Sequence, residues 1–134
     1  MHSKNISVMI LAAGYGSRLR PITKKIPKPL VKVAGITLLQ NLLDHVLKLN
    51  CKKIILNTHY QHDKIYDFIN NNYSNENIVI SYEKELLDTG GGVKNALPLF
   101  ASNEALILNS DICWSSNNFQ EIENSINSFR KEQK

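Results

Sequence analysis

The chain is poor in cysteine and has no long apolar run, and each shortage narrows its class. Cys51 and Cys113 are its only cysteines and stand in no CxxC or CxxH pairing, so neither a disulfide scaffold nor a zinc site is indicated. No apolar stretch is long enough to cross a bilayer, and Met1-His2-Ser3-Lys4-Asn5 leads into the first strand without a signal peptide. The expected location is therefore the cytoplasm, with no membrane partner. There is no internal repeat, no linker and no Ser-His-Asp or Cys-His constellation. His59 and His62 lie three apart but lack a third ligand, which argues against zinc. What remains is 134 residues, 43% apolar and 21% charged, the composition of one ordinary globular domain.

The net charge of +4 says less than its placement. Arg18, Arg20, Lys24, Lys25, Lys28 and Lys32 crowd into fifteen positions, six of the sixteen Lys and Arg residues. A nucleic-acid surface would pair such a cluster with exposed aromatics or a recognition helix, and neither accompanies it. Nucleic acid is not the expected partner.

Read in order, the apolar run Val8-Met9-Ile10-Leu11 is a buried parallel strand that ends in the small turn Ala12-Ala13-Gly14-Tyr15-Gly16-Ser17. Val31 to Gly35 reads as a short extended piece and turn. Ile36 to Asn50 reads as an amphipathic helix through Leu38, Leu39, Leu42, Leu43, Val46 and Leu47. Ile54-Ile55-Leu56 is a second strand, and a second helix runs from about Gln61 to Asn71, stopping in the turn-prone Asn70–Asn75 tract. Ile78–Tyr82 is the third strand, Thr89–Leu97 a short helix limited by Pro98, and Ala105–Asn109 the fourth strand. Asn118–Lys131 closes the chain as a helix. This alternation predicts a three-layer α/β/α, Rossmann-like sandwich with a mainly parallel sheet. With strand order 3-2-1-4, the glycine turn after Leu11 and the Asp after Asn109 face one crevice at the switch point.

Three groups carry chemistry. The turn Gly14-x-Gly16 lacks the third glycine of the dinucleotide fingerprint, and no GK[ST] follows, so it is no Walker loop. Glycines alone would serve a plain strand-to-helix connection. Arg18, able to fork onto phosphate oxygens, and Lys28, held on stiff extended backbone between Pro27 and Pro29, favour a polyanion such as a nucleoside triphosphate. Asp111 is either a turn or cap aspartate, or a hard ligand for Mg²⁺. Gly90-Gly91-Gly92 after Asp88-Thr89 serve close packing, or let a flat base or ribose approach the main chain. Cys113 and Trp114 read as packing residues.

Together these residues resemble the sugar-1-phosphate nucleotidyltransferases. The likeness lies in Leu11-Ala12-Ala13-Gly14-Tyr15-Gly16-Ser17-Arg18-Leu19-Arg20-Pro21, Pro27-Lys28-Pro29-Leu30, Gly35, Leu87-Asp88-Thr89-Gly90-Gly91-Gly92 and Asn109-Ser110-Asp111. The DTGGG form is most similar to the N-acetylmuramate-1-phosphate uridylyltransferase branch. Mannose- and heptose-1-phosphate guanylyltransferases more often show GT(A/G)G there. The resemblance implies the nucleotide-diphospho-sugar transferase fold and a Mg²⁺-dependent transfer of an NMP group from an NTP, with UTP favoured, to a sugar 1-phosphate, releasing pyrophosphate. It implies Arg18 and Lys28 as catalytic residues. Leu11, Ala12, Ala13, Gly14, Gly16, Ser17, Arg18, Glu83, Thr89, Gly90 and Gly91 are implied to bind the nucleotide, Glu83 and the Thr89–Gly92 segment beside base and ribose. Asp111 is implied to hold the metal.

Two departures qualify the resemblance. Ser110 stands where the family has Gly or Ala and is expected to crowd the metal site slightly. Members also continue for about another hundred residues, bringing the sugar-binding half and a second metal-binding carboxylate. Residues 1–134 are thus expected to be one truncated nucleotidyltransferase domain that needs a second copy or a complementing chain. A mannose- or heptose-1-phosphate guanylyltransferase is one alternative, and a non-catalytic nucleotide-binding module or truncated relic is the other.

Overall fold

The structure is a computed structural model that describes residues 4–133. Four strands, β1 (Lys4–Leu11), β4 (Cys51–Thr58), β5 (Ile78–Tyr82) and β6 (Ala105–Asn109), form a wholly parallel sheet in the order β5-β4-β1-β6. That is the expected 3-2-1-4 order. Successive side chains of a strand point to opposite faces, and both faces of β1 are covered, which is why its sequence is continuously apolar. Val8 and Ile10 face a core built with Leu39, Leu42, Leu43 and Val46 of α2 (Leu38–Lys48), Ile65 and Ile69 of α3 (His62–Tyr73) and Phe119 of α5 (Ser116–Glu132). Met9 faces the thinner opposite layer, where Ile55 and Ala96 of α4 (Thr89–Ala96) meet it. Among the described residues no helix is long and apolar enough to cross a membrane.

The register brings the strand ends level. Ser81 pairs with Asn57, Asn57 with Leu11, and Leu11 with Asn109. Each strand therefore releases its loop at one edge, where ligands of open α/β sheets bind.

Several expectations change at the element ends. Ile36 and Thr37 belong to no helix: they form β3 (Ile36–Thr37), paired antiparallel with β2 (Lys32–Val33) across a turn in which Ala34 and Gly35 both have positive φ. Helix α2 starts only after Thr37, whose hydroxyl caps the Gln40 amide at 2.9 Å. Helix α3 does not stop at Asn71. It continues because Tyr73 is buried and its hydroxyl donates to Asp44 at 2.9 Å, a tertiary gain that outweighs the weak propensity of three asparagines. The segment 12–31 also holds a short helix, α1 (Ile22–Lys25), between one-turn 3-10 helices at Ser17–Leu19 and Lys28–Leu30. Lys28 thus opens a helical turn instead of lying on extended backbone; only Pro27 before it is extended. Cys113 is exposed, not packed, whereas Trp114 does pack against the core and meets the Phe119 ring edge-on at 5.5 Å.

Candidate functional site

A crevice of about 160 Å³ opens between β1 and β6, the two strands that flank the reversal of strand order. Leu11, Ala12, Gly14, Gly16, Lys28, Asn109, Ser110 and Asp111 line it. Residues more than eighty positions apart meet there: Lys28 Nζ donates to Asp111 Oδ2 at 3.2 Å. With side chains 27% and 45% exposed, this pair is screened by water and worth no more than about 1 kcal/mol. It is easily exchanged for a ligand that brings its own phosphates and cation.

Gly16 sits in the left-handed region at φ 64°, and its α-carbon is pressed close to its neighbours. A Cβ there would meet Thr23 Cγ2 at 2.9 Å and Lys28 Cβ at 3.0 Å. The glycine therefore lets the loop and the lysine turn lie against each other. Gly14 has open space around it and is exposed. The amides of Gly14, Tyr15 and Gly16 donate to nothing among the described residues, so the loop presents free N–H groups beside the crevice. Arg18 lies exposed in the Ser17–Leu19 turn and makes no ion pair among the described residues. Ser17 is exposed beside it, while Ala12 and Ala13 are buried at the end of β1.

Beneath the loop runs a buried polar relay that sequence reasoning missed. Asn57, in register with Leu11, accepts the Ala12 amide at 2.7 Å and donates to Glu83 Oε2 at 2.9 Å. The other Glu83 oxygen accepts the Leu87 amide at 3.1 Å. Asn57 is 4% and Glu83 2% exposed, and each bonds the other and holds one backbone amide. Glu83 lies under the loops and joins the start of the 84–92 segment to the first residue of the glycine loop. The visible signal was a polar Asn ending an apolar strand.

The remaining sites fall around this frame. Asp88 caps α4, accepting the Gly91 amide at 2.6 Å. A Cβ on Gly91 would meet the Asp88 carboxylate at 2.9 Å, and one on Gly92 would meet Asn57 Nδ2 at 2.9 Å and Glu83 Oε2 at 3.0 Å. Close internal packing accounts for these two glycines. Thr89 and Gly90 are exposed at the helix start and do not line the β1–β6 crevice. Ser110 is buried, and its hydroxyl donates to the Leu11 carbonyl at 2.6 Å, so the side chain is engaged in tying β6 to β1. Asp111 is not a cap; Ser115 caps α5.

The donor set bears on metal binding. Among the described residues no three His, Cys, Asp or Glu side chains gather as a cation cage. Asp111 is a single exposed carboxylate beside free loop amides and Lys28. That arrangement fits Mg²⁺ carried by phosphates, which takes one or two protein carboxylates, and does not fit a cation held by protein alone.

A model of the family described as nucleotidyl transferase matches residues 7–134. An N-acetylmuramate alpha-1-phosphate uridylyltransferase from Caulobacter vibrioides is 37% identical over 110 residues, which cover 79% of this chain and 46% of that protein. A D-glycero-alpha-D-manno-heptose 1-phosphate guanylyltransferase from Campylobacter jejuni is 35% identical over 106 residues, covering 79% of this chain and 48% of that one. Among solved structures, HddC from Yersinia pseudotuberculosis complexed with GMP-PN superposes with a TM-score of 0.74 at 32% identity, over 89% of this chain and 53% of that chain. The chain spans about half the length of the curated relatives it matches.

Proposed function

The chain belongs to the nucleotidyl transferase family, and on that premise we propose that it moves an NMP group from an NTP, UTP in preference to GTP, to a sugar 1-phosphate. A phosphate oxygen of the sugar 1-phosphate attacks the α-phosphorus, the bond from that phosphorus to the bridging oxygen breaks, and pyrophosphate leaves with the electron pair. The observation that carries this reading is the meeting of Lys28 and Asp111 beside the free amides of the Gly14–Gly16 loop.

The residues divide the work by charge and position. The Gly14–Gly16 amides hold the triphosphate. Lys28 gives up Asp111 and bridges the α-phosphate and the incoming phosphate, offsetting their repulsion. Arg18, free to swing, neutralises charge growing on the pyrophosphate. No protein nucleophile is required, because such transfers depend on alignment and electrostatic stabilisation. Asp111 would hold Mg²⁺, which when bound neutralises phosphate oxygens. The Leu87–Gly92 segment borders base and ribose. Its DTGGG form and the uridylyltransferase relative support UTP; the heptose guanylyltransferase relative and HddC with GMP-PN keep GTP as the second reading.

The match covers 46% and 48% of those two relatives, and the rest of each has no counterpart within the matched residues. The sugar-binding part is therefore proposed to come from further polypeptide, either continuous with this chain, in a complementing chain or in a second copy. Pyrophosphate release with UTP or GTP, Mg²⁺ and N-acetylmuramate, mannose or heptose 1-phosphate tests the reading, with and without the second half of a relative. Turnover that depends on Lys28 is expected. Saturable nucleotide binding without turnover in any combination would instead make this a nucleotide-binding module.

A further inference from the structure

We propose that His59, Tyr60 and Gln61 are positioning residues: a clamp, reaching over from the end of β4, that fixes the glycine loop in the geometry that receives the triphosphate. The proposal rests on the nucleotide reading above and adds the means by which the loop is shaped before a ligand arrives.

Thr23 is the point they grip. It is fully buried, its methyl packs under Gly16, and its hydroxyl donates to the Gly16 carbonyl at 2.7 Å. Its own carbonyl accepts two bonds from the clamp, the Tyr60 hydroxyl at 2.6 Å and the Gln61 amide at 3.0 Å. The same amide lies 3.3 Å from the Lys24 carbonyl. A second grip is on the loop itself. The Glu83 carbonyl can only accept, so the 2.7 Å contact places a proton on His59 Nδ1. In the neutral ring Nε2 is then left to accept the Tyr15 hydroxyl, at 3.2 Å. Tyr15 also meets the His59 ring edge-on at 5.6 Å and the Tyr60 ring at 5.3 Å.

Backbone conformation gives an independent sign. Gln61 has φ 50° and ψ 42°, a left-handed geometry that a non-glycine residue adopts only when its surroundings hold it there. That backbone accompanies an amide set against Thr23 and Lys24, and none of the three clamp side chains belongs to the apolar core. A loop whose N–H groups are unpaired has little of its own to stiffen it. Preorganisation from outside lowers the cost of ordering it around a ligand.

The test uses Tyr60→Phe, Gln61→Gly and the double variant. Gln61→Gly removes the amide and at the same time relieves the positive φ, which offsets part of the stability lost with its hydrogen bonds, so a purely structural role predicts at most a lower melting temperature with no loss of binding. Two measurements are made: amide hydrogen exchange in the free chain of Leu19 and Arg20, whose N–H groups are bonded to the Gly16 and Ser17 carbonyls, and calorimetric titration with Mg·UTP and Mg·GTP. The clamp predicts that the double variant exchanges these amides about tenfold faster and binds nucleotide about tenfold more weakly, with the melting temperature within about 4 °C of the parent. Unchanged exchange overturns the proposal, as does faster exchange spread evenly over the sheet. Faster loop exchange with unaltered affinity also overturns it. If the parent chain binds neither nucleotide, the nucleotide reading fails, and the exchange comparison alone still decides whether the clamp holds the loop.

Discussion

Gly16 is where backbone freedom, anion loop and basic residue share one small volume. Alanine there meets a positive φ and atoms at 2.9 and 3.0 Å, one on buried Thr23 and one on the Lys28 turn. Gly14 has neither constraint. Gly16→Ala should therefore lower stability by about 1–3 kcal/mol and abolish nucleotide binding, while Gly14→Ala should change stability by less than about 1 kcal/mol. Urea unfolding of the two variants separates them. Tyr73 makes a different kind of prediction. Burial first, and then its bond to the Asp44 carboxylate, push its phenol above the ordinary value of 10.0. Below about pH 10 folded and unfolded chains both keep the proton and the contribution is whole. Above it the unfolded chain ionises first, so stability falls as pH rises towards the folded value. Tyr73→Phe should cost about 1 kcal/mol near neutrality and flatten that alkaline decline, measured by urea unfolding at about pH 7 and pH 10.5. At this scale the crevice residues were legible, because glycine spacing, Lys28 and Asp111 each advertise a chemistry. Asn57 and Thr23 were not. Each is a single small polar residue whose partner is far off in sequence, and only the fold reveals that it holds Ala12 or Gly16.

Among the elements, Ile78–Tyr82 and Ala105–Asn109 could be read to the residue, since each is a short apolar run between turn signals. Helix ends were less legible because they depend on caps and on tertiary partners. Helix α5 begins at Ser116, not Asn118, since Ser115 and Asn118 form a reciprocal cap: the Ser115 hydroxyl accepts the Asn118 amide at 3.3 Å, and the Asn118 side chain accepts the Ser115 amide at 2.9 Å. Ser115→Ala should destabilise the chain by about 1 kcal/mol. Because α5 follows the loop that carries Asp111, the same variant should increase exchange of the amides of residues 112–118. Lys28 illustrates the other limit. Its flanking prolines were visible, but the 3-10 turn that aims it was not, because Pro29 takes up a helical first-turn position as readily as an extended one.

Across the whole molecule, alternating strands and helices called for a mainly parallel sheet, and the common order 3-2-1-4, which the sheet adopts, sets the glycine loop opposite Asp111. That is the strongest inference the chain permits, since parallel topology leaves few arrangements and one switch point. What the pattern could not convey was the polar system joining the loop to its surroundings: the buried Asn57–Glu83 relay below and the half-buried His59–Gln61 grip at its side. Both reach the glycine loop from β4 and its neighbour β5, so β1 supplies the loop and the adjacent strands fix its shape.

The claim that this crevice receives a nucleoside triphosphate is tested most directly by calorimetric titration of Mg·UTP and Mg·GTP into the parent chain and into Lys28→Ala. The ion pair that Lys28 leaves behind is exposed and weak, so its removal should scarcely alter the fold. The account predicts saturable binding at one site, UTP tighter than GTP, and about tenfold to hundredfold weaker binding to Lys28→Ala at an unchanged melting temperature. A parent chain that binds neither nucleotide, or a Lys28→Ala variant that binds as the parent does, would contradict it.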